Sequence, residues 1–257
     1  MLVGFINAAS AAVETGVTAL TITKPTNTAE GHLMVAAIAA RPNTVTIDPP
    51  SGWKELIFFP SALATASLQA IYYKWAGASE PADYSWTLGA SPTGAVGGIC
   101  TFSGVDTYSP FHDFAALDTA TSLSCPTPNR TTSIPNTFIL SCHSTANADT
   151  WTPPGAVGGD NAMDERVDVR PTTAPICLEM NTCDHVAASA TGAKTATDNG
   201  ESAADSNIGS IVILTPFISP SERSRPLLDI AALDEGSDDF QSELSGQAWM
   251  RGSLVLA

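Results

Sequence analysis

The segment Ser67-Leu-Gln-Ala-Ile-Tyr-Tyr-Lys-Trp75 has the side-chain alternation of an extended strand. Successive side chains in a strand point to opposite faces of the sheet. One face then carries Leu68, Ala70, Tyr72 and Lys74, and the other carries Gln69, Ile71, Tyr73 and Trp75. Because both faces include large apolar groups, the pattern predicts a strand that is buried on both sides.

Similar short runs, rich in Val, Ile, Thr and aromatic residues, recur on both sides of this segment. Pro, Gly, Asn and Asp separate them at intervals of about ten residues, and long amphipathic helical patterns are missing. The first set of predicted strands is Val17–Thr23, His32–Ala40, Trp53–Phe59, Ser67–Trp75, Tyr84–Leu88 and Val96–Ser103. The second set is Thr137–His143, Arg166–Arg170, Ile176–Asp184, Ala188–Thr195 and Ser210–Phe217. Many short strands with such turns predict an all-β, antiparallel sandwich or barrel.

The two sets form a near-repeat. Each contains an apolar strand, a Pro-Pro turn, further strands and an apolar closing strand with Gly near its start. The matching blocks are Leu33–Ile38 with Phe138–His143, Asp48–Trp53 with Trp151–Gly155, and Val96–Phe102 with Ile208–Leu214. Gly97, Gly98 and Gly209 suit a bulge or a close strand crossing.

The repeat predicts two related meanders, at about residues 16–110 and 130–218. We favour one jelly-roll-like, two-sheet antiparallel β-sandwich over residues 1–218, because a short meander alone buries little surface. Two small tandem sandwiches joined near Ala115–Pro135, a Thr/Ser/Pro-rich stretch, are the alternative.

Residues 219–257 differ in composition and are predicted to form an extended C-terminal arm or an added strand. Apolar side chains on a free tail would be an aggregation hazard, so something must cover them. The predicted partner-contact residues of this arm are Leu227, Leu228, Ile230, Trp249, Met250, Leu254, Val255 and Leu256.

Composition argues against several classes of partner. With 26 acidic and 11 basic residues the net charge is −15, which disfavours nucleic-acid binding. No apolar run approaches the roughly 20 residues that span a bilayer, so no membrane partner is expected. The N-terminus has no basic segment typical of a secretory signal, and the five cysteines are an odd number without a disulfide framework. We therefore expect folding in a cytosol.

No catalytic or metal-binding motif stands out. Cys142-His143 and the group Cys177, Cys183 and His185 lack the CxxC or HxxxH spacing of zinc sites. The acidic loops near Asp198 and Asp234 do not fit a calcium-binding loop, and no G-x-S-x-G elbow is present. The sequence therefore predicts a protein that is not an enzyme and that has no cofactor and no metal.

Aromatic side chains are the remaining candidates for binding chemistry. Those that lie in or beside predicted strands are Trp53, Tyr72, Tyr73, Trp75, Tyr84, Trp86 and Trp151. Aromatic faces can stack on sugar rings. Trp53 and Trp151, each beside a Pro-Pro turn, are candidate sugar-stacking residues, although a repeated packing role under the turn explains them more simply.

Several motifs resemble those of a β-sandwich protein common in phage and prophage genomes. They are Leu20–Pro25, Thr28–Leu33, Pro49–Trp53, Tyr72–Lys74, Gly77–Pro81, Tyr84–Thr87 and Phe102–Asp106, with the second Pro-Pro-Gly block. The match covers about residues 16–218. The chain departs from it at Glu30-Gly-His32, where a Gly-Asp pair is common, and this affects only the local turn.

This resemblance implies a structural virion protein of a bacteriophage, assembled in the host cytoplasm. A capsid decoration (cement) protein is the first expectation, ahead of a tail or fibre protein. The expected partners are other copies of the chain, in a symmetric homo-oligomer such as a trimer, and a major capsid or other virion protein. The alternative is a carbohydrate- or receptor-binding module of a phage tail or fibre, with a glycan as ligand.

Overall fold

The computed structural model describes residues 1–62, 67–89, 92–120, 122–200 and 206–219. The chain divides into a compact unit, Met1–Phe217, and a second unit, Ile218–Ala257, of which only residues 218 and 219 are described. The described residues form strands and no helix. The strands of the first half are β1 (Gly4–Val13), β2 (Ala19–Thr23), β3 (Leu33–Arg41), β4 (Ile47–Asp48), β5 (Lys54–Pro60), β6 (Leu68–Trp75), β7 (Asp83–Leu88) and β8 (Gly94–Ser103). Those of the second half are β9 (Phe111–Thr119), β10 (Ser124–Pro126), β11 (Thr137–Thr145), β12 (Trp151–Thr152), β13 (Asp164–Val169), β14 (Cys177–His185), β15 (Thr195–Asp198) and β16 (Asn207–Leu214).

The two halves have the same topology. The first half forms a five-stranded inner sheet, β1-β8-β3-β6-β5, and a three-stranded outer sheet, β2-β7-β4. The second half repeats this order with its own inner sheet, β9-β16-β11-β14-β13, and outer sheet, β10-β15-β12. All pairings are antiparallel. This confirms the prediction of an all-β, antiparallel sandwich-type fold with two related halves, but the halves form four sheets where two were predicted.

The described strands stack as four layers, with the two inner sheets in the middle. Their facing sides share one apolar core, and the rings of Phe102 and Phe138 meet across it with centroids 5.8 Å apart. The core takes residues from both halves, among them Val35, Ile71, Cys100, Leu140, Met180 and Val212. Each half is thus a two-sheet sandwich, as in the tandem alternative, but the two halves are joined by burial of apolar surface between their inner sheets.

Each inner sheet also packs against its own outer sheet, and the two resulting cores differ in kind. The first is apolar and aromatic, and it includes Ile38, Ala70, Tyr72 and Trp86. The second contains two small apolar clusters, one around Ile211 and one around Trp151. Buried polar residues of β11 and β14 accompany these clusters and are described below.

Polar contacts fix the two halves against each other. Gln69, which is fully buried, donates from Nε2 to Ser144 Oγ at 3.0 Å and accepts from Ser210 Oγ. Just after β1, the Glu14 carboxylate accepts hydrogen bonds from the backbone N–H groups of Thr172 and Ala174 at 2.7 and 2.9 Å. Each contact joins one half to the other and so helps to set the stacking of the inner sheets.

Two glycines of the closing strands lie where another segment of the chain passes very close. A Cβ added to Gly98 would lie 2.7 Å from Met180 Sδ on the opposite inner sheet. A Cβ added to Gly209 would collide with the carbonyl oxygen of Pro126 in the outer sheet. This confirms the prediction of close crossings at Gly98 and Gly209.

Several predicted boundaries are corrected. The segment Ala188–Thr195 is not a strand: it is bent and forms only an isolated bridge before β15 begins, because its backbone bonds to the loop around Arg130. The predicted closing strand, Ser210–Phe217, begins and ends three residues earlier, as β16. The stretch Ala115–Pro135 is not simply a linker, since parts of it belong to β9 and β10.

Strand β1 lies outside every predicted strand. Its Ala-rich sequence has weak β-propensity, and its conformation depends on pairing with β8 along its whole length. Tertiary context therefore determines this strand, and a local pattern does not reveal it.

Candidate functional site

An open groove with aromatic walls lies at the end of β6. Its volume is about 370 Å³, and its walls include Tyr73, Trp75, Tyr108, Lys54 and Lys74. Tyr73 and Trp75 share one face of β6 and are half-buried against the core between the inner sheets. We call this site the aromatic groove.

The most exposed aromatic residue of the groove is held in a fixed position. Tyr108 is 82% exposed, yet its backbone N–H donates to Asp106 Oδ1 at 2.9 Å. The same oxygen accepts from the N–H of Ser109 at 2.9 Å, and the N–H of the fully buried Asp106 donates to Thr215 O. The loop therefore presents an exposed tyrosine from a rigid support, which is typical of recognition residues.

The two lysines of the groove have different environments. Lys74 forms an ion pair with Glu80, whose carboxylate also accepts from the Tyr84 hydroxyl at 2.6 Å. Burial raises the pKa of Glu80, but hydrogen bonds from Gly77, Lys74 and Tyr84 outweigh it and lower that pKa overall. Lys54 is exposed and has no ion-pair partner within the described part of the chain. Lys54 therefore supplies the uncompensated positive charge of the groove.

The second half contains a groove of about 390 Å³ at the equivalent place, but with different chemistry. In the first half Lys54 pairs with Tyr73, and in the second half Asp164 pairs with Thr182. Because the two strand pairs have the same register, Asp164 occupies the position of Lys54, and Thr182 occupies that of Tyr73. By the same alignment Trp75 corresponds to Asp184. The second groove is lined instead by Phe5, Phe138 and Arg166, and Arg166 forms an ion pair with Asp164 at 2.7 Å. The tyrosine, the tryptophan and the unpaired lysine therefore belong to the first groove alone.

A second surface feature is the edge formed by β5 and β9, which lie against each other in the two inner sheets. Phe58 is 44% exposed, Phe114 42% and Leu117 39%. The acidic residues of β9 have partners: Asp113 pairs with Arg130 at 2.6 Å, and Asp118 accepts from Ser61 Oγ and the Ala62 N–H. We call this surface the apolar edge. Phe114 and Leu117 pair with Val212 and Gly209, so they point to opposite faces of β9 and flank the edge on both sides. Exposed apolar side chains on two edge strands make it a candidate contact surface.

The polar residues of the second outer core lie on the outer face of β11 and β14. Strand register places His143 and Glu179 where the first half has Ile38 and Ala70, and it places Asn181 where the first half has Tyr72. His143, Glu179 and Asn181 are fully buried. Neither carboxyl oxygen of Glu179 and neither polar side-chain atom of Asn181 forms a hydrogen bond of standard geometry. Such a site needs an explanation, because an unpaired buried charge is costly.

Protonation accounts for the absence of a counter-charge beside Glu179. Burial raises the pKa of Glu179 to about 8; the neighbouring Asn181 amide opposes the rise, and the carboxylates of Glu165 and Asp168 add to it. Burial lowers the pKa of His143 to about 3, against the effect of its hydrogen bond to the Cys125 carbonyl at 3.0 Å. Both side chains are therefore neutral at pH 7, and the second core contains no buried charge at these two positions.

A buried ionic cluster fixes the loop before β13. Lys194 Nζ donates to Asp160 Oδ2 at 2.7 Å and to Val157 O at 3.1 Å. Asp160 Oδ1 also contacts His185 Nδ1 at 2.9 Å. The side chains of Lys194 and His185 are fully buried and that of Asp160 is 4% exposed. The cluster ties the loop to β14 and to Lys194, the residue before β15, and is closed to solvent.

Both candidate sugar-stacking tryptophans are core residues. Trp53 is 6% exposed and packs against Tyr84 and Trp86, with ring centroids 5.1 and 5.2 Å away. Trp151 is 4% exposed and lies beside His143. Neither ring presents a face to solvent, which corrects the prediction of sugar stacking at these positions. The physical reason is that each tryptophan turns into the core between an inner and an outer sheet.

The other residues singled out in the sequence have the following positions. The arm residues Leu227, Leu228, Ile230, Trp249, Met250, Leu254, Val255 and Leu256 lie outside the described residues. All five cysteines are buried free thiols, and burial raises the pKa of Cys100 and of Cys183 to about 12. No group of three or more His, Cys, Asp or Glu residues in the described part of the chain is arranged to hold a metal ion. Among the same residues there is no helix long and apolar enough to cross a membrane.

Sequence reasoning does not reveal the aromatic groove. The alternation of β6 places Tyr73 and Trp75 on one face, but nothing in that pattern singles out Tyr108. The available signal is Asp106-Thr-Tyr-Ser-Pro110, in which an Asp begins a turn that exposes the tyrosine.

Comparison with known proteins finds no relative. No protein-family model matches the chain, no curated protein matches it in sequence, and no solved structure matches it.

Proposed function

We propose that this chain is a structural virion protein of a bacteriophage, and that it decorates the capsid as a homo-oligomer. The resemblance of its turn and core motifs to phage β-sandwich proteins supports this proposal. Jelly-roll sandwiches are an architecture of viral capsid proteins and of lectins, which supports it by analogy of fold.

The observation that carries the proposal is the apolar edge. Phe58, Phe114 and Leu117 expose large apolar surface on adjacent edge strands. Two copies that each carry a net charge of −15 repel each other in general. They approach most easily where charges are compensated, as the charge of Asp113 is by Arg130; Asp118 has only the neutral donors Ser61 and Ala62. The edge therefore suits contact with a second copy of the chain.

The assembly part of the proposal is tested by measuring solution mass. Light scattering of the purified chain should give a trimer or another closed oligomer, and the variant Phe114→Ser/Leu117→Ser should give monomers with unchanged circular dichroism. A matched control is Val186→Ser, which changes a side chain that is 66% exposed elsewhere. A monomeric wild type, or an oligomer unaffected by the edge variant, contradicts the role of the apolar edge.

The virion part needs a separate experiment. Phage particles are induced from a bacterium that carries the gene, purified by density and analysed by mass spectrometry. The chain should be present in intact particles at a fixed ratio to the major capsid protein. Its absence from particles overturns the proposal.

The predicted arm is tested by trimming the chain after Ser219. Loss of the oligomer, or of binding to particles, is the expected result. A trimmed chain that assembles and binds like the full chain would show that the arm has no part in assembly.

A further inference from the structure

We infer that the aromatic groove is a binding site for an acidic oligosaccharide. This inference goes beyond the structural role proposed above and does not depend on it. It rests on the groove's own geometry, on the way Tyr108 is held, and on the contrast with the equivalent groove of the second half.

The groove has the shape and the lining of a site for sugar rings. A cavity of about 370 Å³ open to solvent has room for one or two sugar rings. Tyr73 and Trp75 line it from β6, and Tyr108 lines it from the loop before β9. The C–H faces of pyranose rings pack on aromatic surfaces, while their hydroxyl groups stay at the rim.

The aromatic side chains of the groove are held in place by contacts within the protein. The Tyr73 ring is positioned by a T-shaped contact with Phe111 at a centroid distance of 4.9 Å. The Tyr108 loop is fixed by Asp106, which is fully buried and anchored to Thr215. Aromatic residues fixed before the ligand arrives lose little conformational entropy on binding.

The charge of the groove favours an anionic sugar. The chain has a net charge of −15, yet this groove contains two of its four lysines. Glu80 neutralises Lys74, so the cation available to a ligand is Lys54. One uncompensated ammonium beside three aromatic rings suits a sugar that carries one carboxylate, such as a uronic or sialic acid.

The groove of the second half provides a comparison within the chain. There Thr182, Asp184 and Asp164 occupy the positions of Tyr73, Trp75 and Lys54. That groove is lined by Phe5, Phe138 and Arg166, but Arg166 forms an ion pair with Asp164 and lies over the Phe5 ring. An unpaired lysine beside tyrosine and tryptophan is therefore a feature of the first groove and not of the second, as a ligand site predicts.

The test is binding to a printed array of sialylated, uronate-containing and neutral oligosaccharides, followed by titration of the best binder monitored by tryptophan fluorescence. We expect binding to acidic members of the array, and at least tenfold weaker binding by Tyr108→Ala. Because this side chain is 82% exposed, its removal leaves the core intact. Lys54→Gln should weaken binding to the acidic sugar and leave any binding to neutral sugars unchanged.

The control variant is Val186→Ala, which alters an exposed apolar residue outside the groove and should bind like the wild type. Binding to no oligosaccharide on the array overturns the inference. So does equal binding by Tyr108→Ala, which would place the sugar elsewhere. A preference for neutral sugars, or unchanged binding of the acidic sugar by Lys54→Gln, would refute the role of Lys54. The oligomeric state of Tyr108→Ala should be that of the wild type, so failure here is distinguishable from failure of the assembly proposal.

Discussion

Replacing Glu179 by Gln should remove a specific loss of stability at alkaline pH. Glu179 is fully buried in the second outer core, opposite His143, and its carboxyl group is neutral at pH 7. Gln has nearly the same shape and cannot ionise. The variant therefore isolates the effect of one proton.

The sign follows from the number of protons bound in each state. The unfolded chain releases the Glu179 proton near pH 4.5, whereas the folded protein, with its pKa raised to about 8, keeps it until that pH. Between these values the folded state binds more protons than the unfolded state, so the free energy of unfolding falls as pH rises, by about 1.4 kcal/mol per pH unit. Well above pH 8 both states have lost the proton and this contribution is constant.

His143 has the opposite effect in part of this range. Its pKa falls from 6.5 to about 3 on folding, so between these values the unfolded state binds the extra proton and stability rises with pH. The two effects cancel approximately between pH 4.5 and 6.5. From pH 6.5 to 8 only the Glu179 effect remains, and it lowers the free energy of unfolding by about 2 kcal/mol.

The assay is urea unfolding followed by tryptophan fluorescence at about pH 6.5 and pH 8. Between these two conditions the free energy of unfolding of the wild type should fall by about 2 kcal/mol more than that of Glu179→Gln. The control variant is Glu30→Gln, at an exposed carboxylate, and its free energy of unfolding should fall as much as that of the wild type. An equal fall in wild type and Glu179→Gln would refute the reasoning, because the carboxyl group would then not be protonated in the folded state.

Two further perturbations test other parts of the structure. Lys194→Met leaves the Asp160 carboxylate buried without its lysine and should cost about 3 to 5 kcal/mol in urea unfolding; a loss below about 1 kcal/mol would show that the ion pair does not stabilise the loop. Gly209→Ala makes a Cβ collide with the Pro126 carbonyl oxygen and should cost about 1 to 3 kcal/mol by displacing β10. Gly155→Ala, whose Cβ would meet no atom within 4 Å, is its control, and equal melting temperatures for the two variants would contradict the close crossing.

The sequence by itself determined the class of the fold and its internal repeat. Alternation such as that of Ser67–Trp75 is a local property, since any pleated strand separates its side chains into two faces. The repeated Pro-Pro turns and the glycines of the closing strands also act locally, because they fix where the chain reverses and where it can cross closely. These signals were sufficient to predict an antiparallel sandwich of two related halves.

Only the tertiary structure decided what each aromatic residue does. Exposure cannot be read from a strand or turn pattern, because it depends on which other segments cover the residue. The fold buries Trp53 against β7 and leaves Tyr108 82% exposed beside a groove. The sequence therefore left both packing and sugar stacking open at two tryptophans that the fold buries, and it did not reveal the tyrosine that faces solvent.

Tertiary contacts also decided the number of layers. The apolar sides of the two inner sheets could have been covered by a partner chain or by each other, and the local pattern is the same in either case. The choice depends on complementary packing between residues far apart in sequence, such as Gly98 against Met180 and Gln69 against Ser144. For the same reason the neutral pair His143 and Glu179 exists only in the folded chain, where burial by distant segments shifts both pKa values.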